Sequence, residues 1–308
     1  MLTLLAASLV VFAVLDVLPG NAAQVILGET ATAESLAALE QKLGLDRPAP
    51  QRYLDWVGGL LRGDLGESIS YGSPVGELVL ERLQVTVPLA LMAMALTTVL
   101  ALGLGLWAAS HHGRPADTAV MAASQAGIAI PNFWFAILLI WLFAVQLPWF
   151  PAGGFSGWDE EAGGGLLDGL QSLALPALAL AVVQAAILAR ITRSAVLDVA
   201  REDFVRTARA KGLSRRQVLW RHVLRNAFVP VLTIMGLQFA NLLTGTVVVE
   251  NVFSLPGLGR LTFQAIANRD LVVVRNVVML LAAAVIAINF VVDVLYAVID
   301  PRIRVASA

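Results

Sequence analysis

Long apolar stretches separated by polar segments dominate this chain. An α-helix needs about 20 apolar residues to cross the roughly 30 Å hydrocarbon core of a bilayer. Stretches that approach or exceed this length run from Leu2 to Leu18, Val85 to Ala109, Ala119 to Leu147, Leu173 to Ile191, Pro230 to Val249 and Asn276 to Ile299. The pattern predicts an all-α polytopic membrane protein with six transmembrane helices.

The first of these stretches is the weakest. It has about the minimum spanning length, and Asp16 lies near its end. A cleaved signal peptide is the competing interpretation, but such a peptide begins with basic residues, and Met1 to Ser8 contains no Lys or Arg. The same missing basic start leads us to expect that the natural chain begins upstream of Met1.

Composition supports lipid as the solvent for much of the surface. The chain of 308 residues is 58% apolar and 14% charged, whereas soluble proteins are about one quarter charged; its mean hydropathy is +0.78. The net charge of -1 argues against nucleic acid as a partner, because nucleic-acid binding needs a basic surface. The absence of cysteine excludes thiolate metal ligands and cysteine nucleophiles, and with three histidines we expect no metal site.

Basic residues in the loops predict the orientation, because Lys and Arg stay preferentially on the cytoplasmic side. The segment from Arg190 to Arg225 has ten basic and three acidic residues, while Pro148 to Ser172 has four acidic residues and no basic one. We therefore expect both termini to be cytoplasmic. Residues 1–84 would form the first helix and a long external loop, and residues 85–308 a five-helix core with a cytoplasmic loop at 193–229.

The external loop has helical patterning of its own. Ala33 to Leu43 has helical propensity, and Arg52 to Leu61 is amphipathic and ends at Gly63. We expect a small helical cap after the first transmembrane helix.

The cytoplasmic loop is longer than a connection requires and is patterned as two helices. Phe204, Ala208 and Gly212 are spaced four residues apart, so they are expected to share one helix face. Gly212 is expected to end the first helix in a left-handed conformation, and Ser214 with Gln217 forms a capping-box pattern for the next. A rigid knob that docks a partner and an interfacial helix pair that binds anionic lipid both fit this pattern.

This loop resembles the EAA motif of the permeases of ATP-binding-cassette (ABC) importers, in the variant of the dipeptide, oligopeptide and nickel systems. The matching run is Arg206-Thr207-Ala208-Arg209-Ala210-Lys211-Gly212. Further similarities to this family occur at 18–20, 44–48, 63–66, 250–259 and 300–302. Two positions depart from the general motif: Arg206 stands where it has Glu, and Arg225 where many importers have Pro.

The resemblance implies a type I ABC importer permease in a bacterial inner membrane, with a coupling helix between helices four and five. It further implies a second permease as a heterodimer partner, two ATPase subunits and an external binding protein. ATP and Mg²⁺ would bind those ATPases, and this chain would be non-catalytic and hold no cofactor. The residues implied in ATPase coupling are Phe204, Arg206, Thr207, Ala208, Arg209, Ala210, Lys211, Gly212 and Leu213.

The positions of the two lysines are consistent with ATP binding by other subunits. A phosphate-binding P-loop needs a lysine followed by Ser or Thr, whereas Lys42 precedes Leu43 and Lys211 precedes Gly212. If ATP drives transport here, another chain must bind it.

An external gate or a contact for the binding protein is predicted at Glu250, Asn251, Pro256 and Gly257, with a purely structural turn as the alternative. Substrates left open are peptides, nickel chelates and other small solutes. A secondary transporter is the main rival, although we find no inverted pair of broken helices. A membrane-embedded enzyme is a third class, and no catalytic motif supports it.

Small and charged residues inside the apolar stretches carry further expectations. Small residues would let helices approach and slide closely, with static packing as the alternative: Gly103, Gly105, Ala126, Gly127, Gly236 and Ala240. Asp16 and Asp293 are costly in hydrocarbon, but both lie near predicted helix ends, so interfacial anchoring is favoured over contact with substrate.

Overall fold

The structure is a computed structural model that describes residues 2–17, 27, 32–42, 46–161 and 163–299. Helices make up most of the described chain. In order they are α1 Leu2–Val17, α2 Ala33–Lys42, α3 Ala49–Arg62, α4 Val75–Ser110, α5 Pro115–Ala129, α6 Asn132–Ile140 with a π-helical turn Trp141–Gln146, α7 Leu166–Val199, α8 Asp203–Ala210, α9 Arg215–Val218 with a π-helical turn Leu219–Val223, α10 Leu224–Val252, α11 Leu258–Ala267 and α12 Leu271–Ile299.

The described helices include four that are long and apolar enough to cross a membrane: Val75–Ser110, Leu166–Val199, Arg215–Val252 and Leu271–Val294. A fifth span exists if α5 and α6, which meet at an angle of 100°, count as one. Aliphatic side chains such as those of Leu91, Val99 and Val291 are exposed on these helices, as lipid contact requires. The described part of the chain is therefore that of a helical membrane protein with four or five apolar spans.

The prediction of one continuous helix from Ala119 to Leu147 is wrong. The helix stops at Ala129, and Ile130 adopts an extended conformation with φ −89° and ψ 122°. Pro131 follows, and a proline disfavours helical geometry in the residue before it. The apolar run continues across the break, which is why hydropathy alone did not indicate it.

One compact unit comprises residues 1–86 and 256–286. Its apolar core joins Val75 and Val79 of α4 to Leu258 and Leu261 of α11 and Val273 of α12. These contacts fix the hairpin of α11 and α12 against the first half of α4.

A buried carboxylate organises the corner between α11 and α12 in this unit. Asp270, 1% exposed, accepts hydrogen bonds from Ser68 Oγ at 2.6 Å, Ser70 N at 3.0 Å and Val273 N at 3.2 Å. The segment that follows α3 is thereby attached to the start of α12. We call these four residues the corner network.

Helix α3 is attached to α12 and to α1 by further polar and aromatic contacts. Trp56 Nε1 donates to Asn276 Oδ1 at 2.9 Å, and the Phe12 ring of α1 lies against Tyr53 and Trp56. Arg52 pairs with Asp16 at 2.5 Å, which is compatible with the anchoring role expected for this carboxylate. Within this unit, helix α3 of the long loop packs on the first apolar helix.

The second unit comprises residues 87–255 and 287 onward, and α7 is its central helix. A Cβ on Gly127 of α5 would lie in ordinary contact with Ala186 of α7. A Cβ on Gly105 of α4 would lie 2.7 Å from Thr192 Cβ and 2.8 Å from Ala189 O. Helix α4 approaches α7 so closely at Gly105 that no larger residue fits.

Candidate functional site

The segment between α7 and α10 forms the helix, break and second helix that its pattern predicts. Glu202, in extended conformation, precedes α8, Asp203 lies in its first turn and Arg209 in its last. An acid at the positive N-terminal end and a base at the negative C-terminal end both stabilise a helix. This short helix is thus favoured by its own sequence.

The break after α8 depends on one glycine and one capping box. Gly212 has a φ of +81°, a conformation that side chains with a Cβ rarely adopt. Ser214 then caps α9, since its Oγ accepts from Gln217 N at 3.3 Å and Gln217 Oε1 accepts from Ser214 N at 3.0 Å. Both predicted features of the break are confirmed.

The inner face of α8 packs on the chain's own spans. Val205 is fully buried and Ala208 is 5% exposed. They belong to one apolar cluster with Val196 near the end of α7 and with Val218 and Val223, which lead into α10. Movement of α8 would therefore be passed to the adjoining ends of α7 and α10 through this packing.

Phe204 and Ala208, which were expected to share one helix face with Gly212, differ in exposure. Phe204 is 42% exposed whereas Ala208 is buried. Val205 explains the difference, because it is the apolar residue three positions before Ala208 and the two together form the buried face. The remaining predicted coupling residues that are exposed are Arg206, Thr207, Arg209, Ala210, Lys211 and Gly212, and Leu213 is half-buried.

The exposed surface of the loop includes a residue that the sequence pattern did not single out. Trp220, in the π-helical turn that leads into α10, is 57% exposed. Arg206 makes only a 3.5 Å ion pair with Asp203 on the exposed surface. Aromatic and arginine side chains are the residues that most often carry binding energy at protein interfaces. Phe204, Arg206 and Trp220 have the character of a docking surface.

An ion pair lies at the same end of α7. Arg193 Nε donates to Asp117 Oδ1 at 2.5 Å and Arg193 Nη2 to Asp117 Oδ2 at 2.7 Å. Gly113 N also donates to Asp117 Oδ2 at 3.1 Å, and His112 Nδ1 lies 3.2 Å from that oxygen. Neither member of this pair was predicted as functional, because they are 76 residues apart and no local motif joins them.

The predicted gate residues lie on either side of a turn. Glu250 is fully buried in the last part of α10, and its carbonyl accepts from Leu255 N at 2.8 Å. Asn251 is half-buried and donates to Val247 O at 2.7 Å. Pro256 is half-buried and Gly257 buried. A role in gating stays a prediction for these four residues.

Charged groups elsewhere do not form a metal site in the part of the chain that the structure describes. No cluster of three or more His, Asp or Glu side chains there could hold a metal ion. Asp293 is exposed on α12, which is compatible with the anchoring role expected for it.

The described helices thus form a helical membrane protein in which the loop between α7 and α10 packs directly on two of the spans. Comparison with solved structures agrees. The fold matches a chain of the MetNI methionine ABC transporter in an inward-facing conformation, with a TM-score of 0.59 over 72% of this chain and 96% of that one, at 19% sequence identity. A second crystal form of that transporter matches with a TM-score of 0.60.

The sequence matches the family described as binding-protein-dependent transport system inner membrane component over residues 101–305. Residues 1–90 match the N-terminal region of the same family of membrane components. The chain belongs to this family.

Relatives from several bacteria cover nearly all of the chain. It is 42% identical to the di/tripeptide transport system permease protein DppB of Pseudomonas aeruginosa, over 98% of this chain and 95% of the relative. It is 40% identical to the glutathione transport system permease protein GsiC of Salmonella choleraesuis, with the same coverage. The dipeptide permease DppB of Alkalihalophilus pseudofirmus is 36% identical, again with this coverage.

Proposed function

We propose that this chain is one permease of an ABC importer for di- or oligopeptides and that α8 is its coupling helix. Relatives named for transport of dipeptides, tripeptides and glutathione support a peptide-like substrate. Nickel chelates and other solutes are alternatives that a transport assay separates.

The single observation that carries the proposal is the packing of α8. Its inner face, Val205 and Ala208, is buried against the ends of two long spans, while Phe204 and Trp220 nearby remain exposed. A helix that is fixed on one side and exposed on the other can pass force from a docked protein to α7 and α10. Nucleotide-driven closure of two ATPases would move this loop, and the attached spans would convert that movement into alternating access.

The proposal includes a topology of six transmembrane helices with both termini in the cytoplasm of a bacterium. Helix α1 would be the first span, since 16 residues rise about 24 Å and a short helix can be accommodated by local thinning of the bilayer. The bent pair of α5 and α6 would be the third. Partners would be a second, different permease, two ATPases that bind ATP and Mg²⁺, and an external binding protein that delivers the substrate.

Affinity purification tests the proposal. The tagged chain should be recovered from its native host in mild detergent together with a second permease and ATP-hydrolysing subunits, identified by mass spectrometry and an ATPase assay. Recovery of the chain alone, with transport retained in liposomes without ATP, would instead establish a secondary transporter.

The break after α8 provides a first prediction. Gly212→Val should lower transport by about fivefold or more, because a left-handed conformation costs an L-residue roughly 1–2 kcal/mol and a β-branched residue more. A Cβ at this position would meet no atom within 4 Å, so backbone strain alone is tested. Transport per amount of membrane-inserted protein is the measurement.

Gly212→Asn is the matched control, because asparagine is among the residues that tolerate a positive φ best. We expect near-normal transport for it. Equal transport by the valine and asparagine variants would contradict a role for the left-handed break.

A further inference from the structure

The Asp117–Arg193 pair joins three parts of the chain at one point. Asp117 lies in the first turn of α5, and Arg193 lies about two turns before α7 ends at Val199. The bond from Gly113 N to the same carboxylate adds the turn between α4 and α5. Asp117 is 4% exposed, so little water competes with these contacts.

The geometry of the pair fixes the relative orientation of the two side chains as well as the distance between them. Two parallel N–H···O bonds between a planar guanidinium and a planar carboxylate hold both groups in one orientation. A buried ion pair contributes little net stability compared with an apolar pair of similar volume. Its specific contribution here is to fix the start of α5 relative to α7.

The part of α7 that carries Arg193 is tightly packed against α4 and belongs to the same region as α8. Thr192 is in close contact with Gly105 of α4, and Val196 packs in the apolar cluster with Val205 and Ala208 of α8. The arginine thus sits between two residues that are held by neighbouring helices. A displacement of α8 that moves the end of α7 also moves this guanidinium.

We propose that Asp117 and Arg193 are a pair of positioning residues that make the start of α5 follow the coupling helix. The bent span of α5 and α6 then moves as α7 moves, instead of remaining in place while the ATPases close. This inference rests on the proposed function of α8. Loss of the pair should leave ATP hydrolysis in place and reduce the transport that it drives.

The test compares Asp117→Asn, Arg193→Gln and the double variant Asp117→Asn with Arg193→Gln, each in the complete transporter in liposomes. Arg193→Gln leaves the buried Asp117 carboxylate without its partner, which is costly in itself, whereas Asp117→Asn leaves a guanidinium whose side chain is 22% exposed. The double variant removes both charges, so it separates a loss of positioning from a loss of folding. Substrate transported per ATP hydrolysed should fall about fivefold or more, the lower end of typical coupling between sites.

Two further variants keep the test decisive. Arg193→Lys retains the charge but not the planar guanidinium with its two parallel donors, so it should also lower the ratio of transport to hydrolysis. It takes the place of the double variant in the test if that variant does not assemble. Arg190→Gln removes an exposed arginine from the same helix and should leave the ratio unchanged.

Distance measurements give a readout that a merely stabilising pair would not change. The chain has no cysteine, so spin labels can be placed at Thr118→Cys and Arg201→Cys, two exposed positions on α5 and just before α8. With nucleotide bound, the distribution of label distances should be narrow when the pair is intact and broader in the double variant.

Failure of this inference is distinguishable from failure of the proposed function. If the unmodified chain is not recovered with an ATPase and transports its substrate without ATP, both the proposed function and this inference are overturned. A complex that transports with ATP, and in which the double variant and Arg193→Lys keep the normal ratio and the narrow distance distribution, overturns the positioning role alone.

Discussion

Replacing Asp270 by alanine should disrupt the corner network and destabilise the unit that contains it. The carboxylate accepts from Ser68 Oγ, Ser70 N and Val273 N, and alanine offers none of them an acceptor. Each donor left unsatisfied in a buried site costs about 1–3 kcal/mol, so we expect a loss of about 3 kcal/mol or more. Thermal unfolding in detergent, with limited proteolysis of the segment 64–74, measures the effect.

Asp64→Ala is the matched control for this prediction. The Asp64 carboxylate accepts a single bond, from Gly66 N at 2.9 Å, at an exposed site in the same segment. Water can replace that bond, so we expect a change of at most about 0.5 kcal/mol, as for most surface substitutions. Equal destabilisation by the two alanine variants would show that the corner network has no special role.

Gly105→Ala should weaken the packing of α4 on α7 and reduce the amount of folded transporter. Its Cβ would lie 2.7 Å from Thr192 Cβ and 2.8 Å from Ala189 O, distances that require the two helices to separate. Overpacking of this kind costs about 1–3 kcal/mol. Thermal unfolding in detergent and transport in liposomes should both show the loss.

Gly103→Ala, the same substitution two residues earlier, should have the opposite effect on stability. A Cβ there would meet no atom within 4 Å, and alanine is more favourable than glycine inside a helix by about 1 kcal/mol. We expect unchanged transport and equal or greater stability. A loss of stability for Gly103→Ala as large as for Gly105→Ala would refute the close approach of α4 and α7 as the cause.

Features that depend on neighbouring residues could be predicted from the sequence. The long apolar stretches indicate the spans, because length and hydropathy are properties of a continuous segment. Gly212 and the Ser214–Gln217 capping box are also local, and the structure has both. The 100° bend at Ile130 and Pro131 was a local signal too, but it was hidden by an apolar run that continues through it.

Features that join distant segments could not be predicted in this way. Asp270 and Ser68 are 202 residues apart, and a lone acid and a lone serine carry no pattern that relates them. The sequence also did not indicate which side of α8 is buried: Val205 and Ala208 pack in one cluster with Val218 and Val223, whereas Phe204 is exposed. Periodicity identifies the faces of a helix, whereas its neighbours determine which face is buried.

The separation of Asp117 and Arg193 also sets an order for assembly in the membrane. Helix α5 is synthesised before α7, and the 76 residues between the two groups must be made before the arginine exists. When α5 is synthesised, its carboxylate has no guanidinium to pair with, and a charge buried without its partner is costly. We therefore expect the first turn of α5, which carries Asp117, to stay in contact with water until α7 has been inserted beside it.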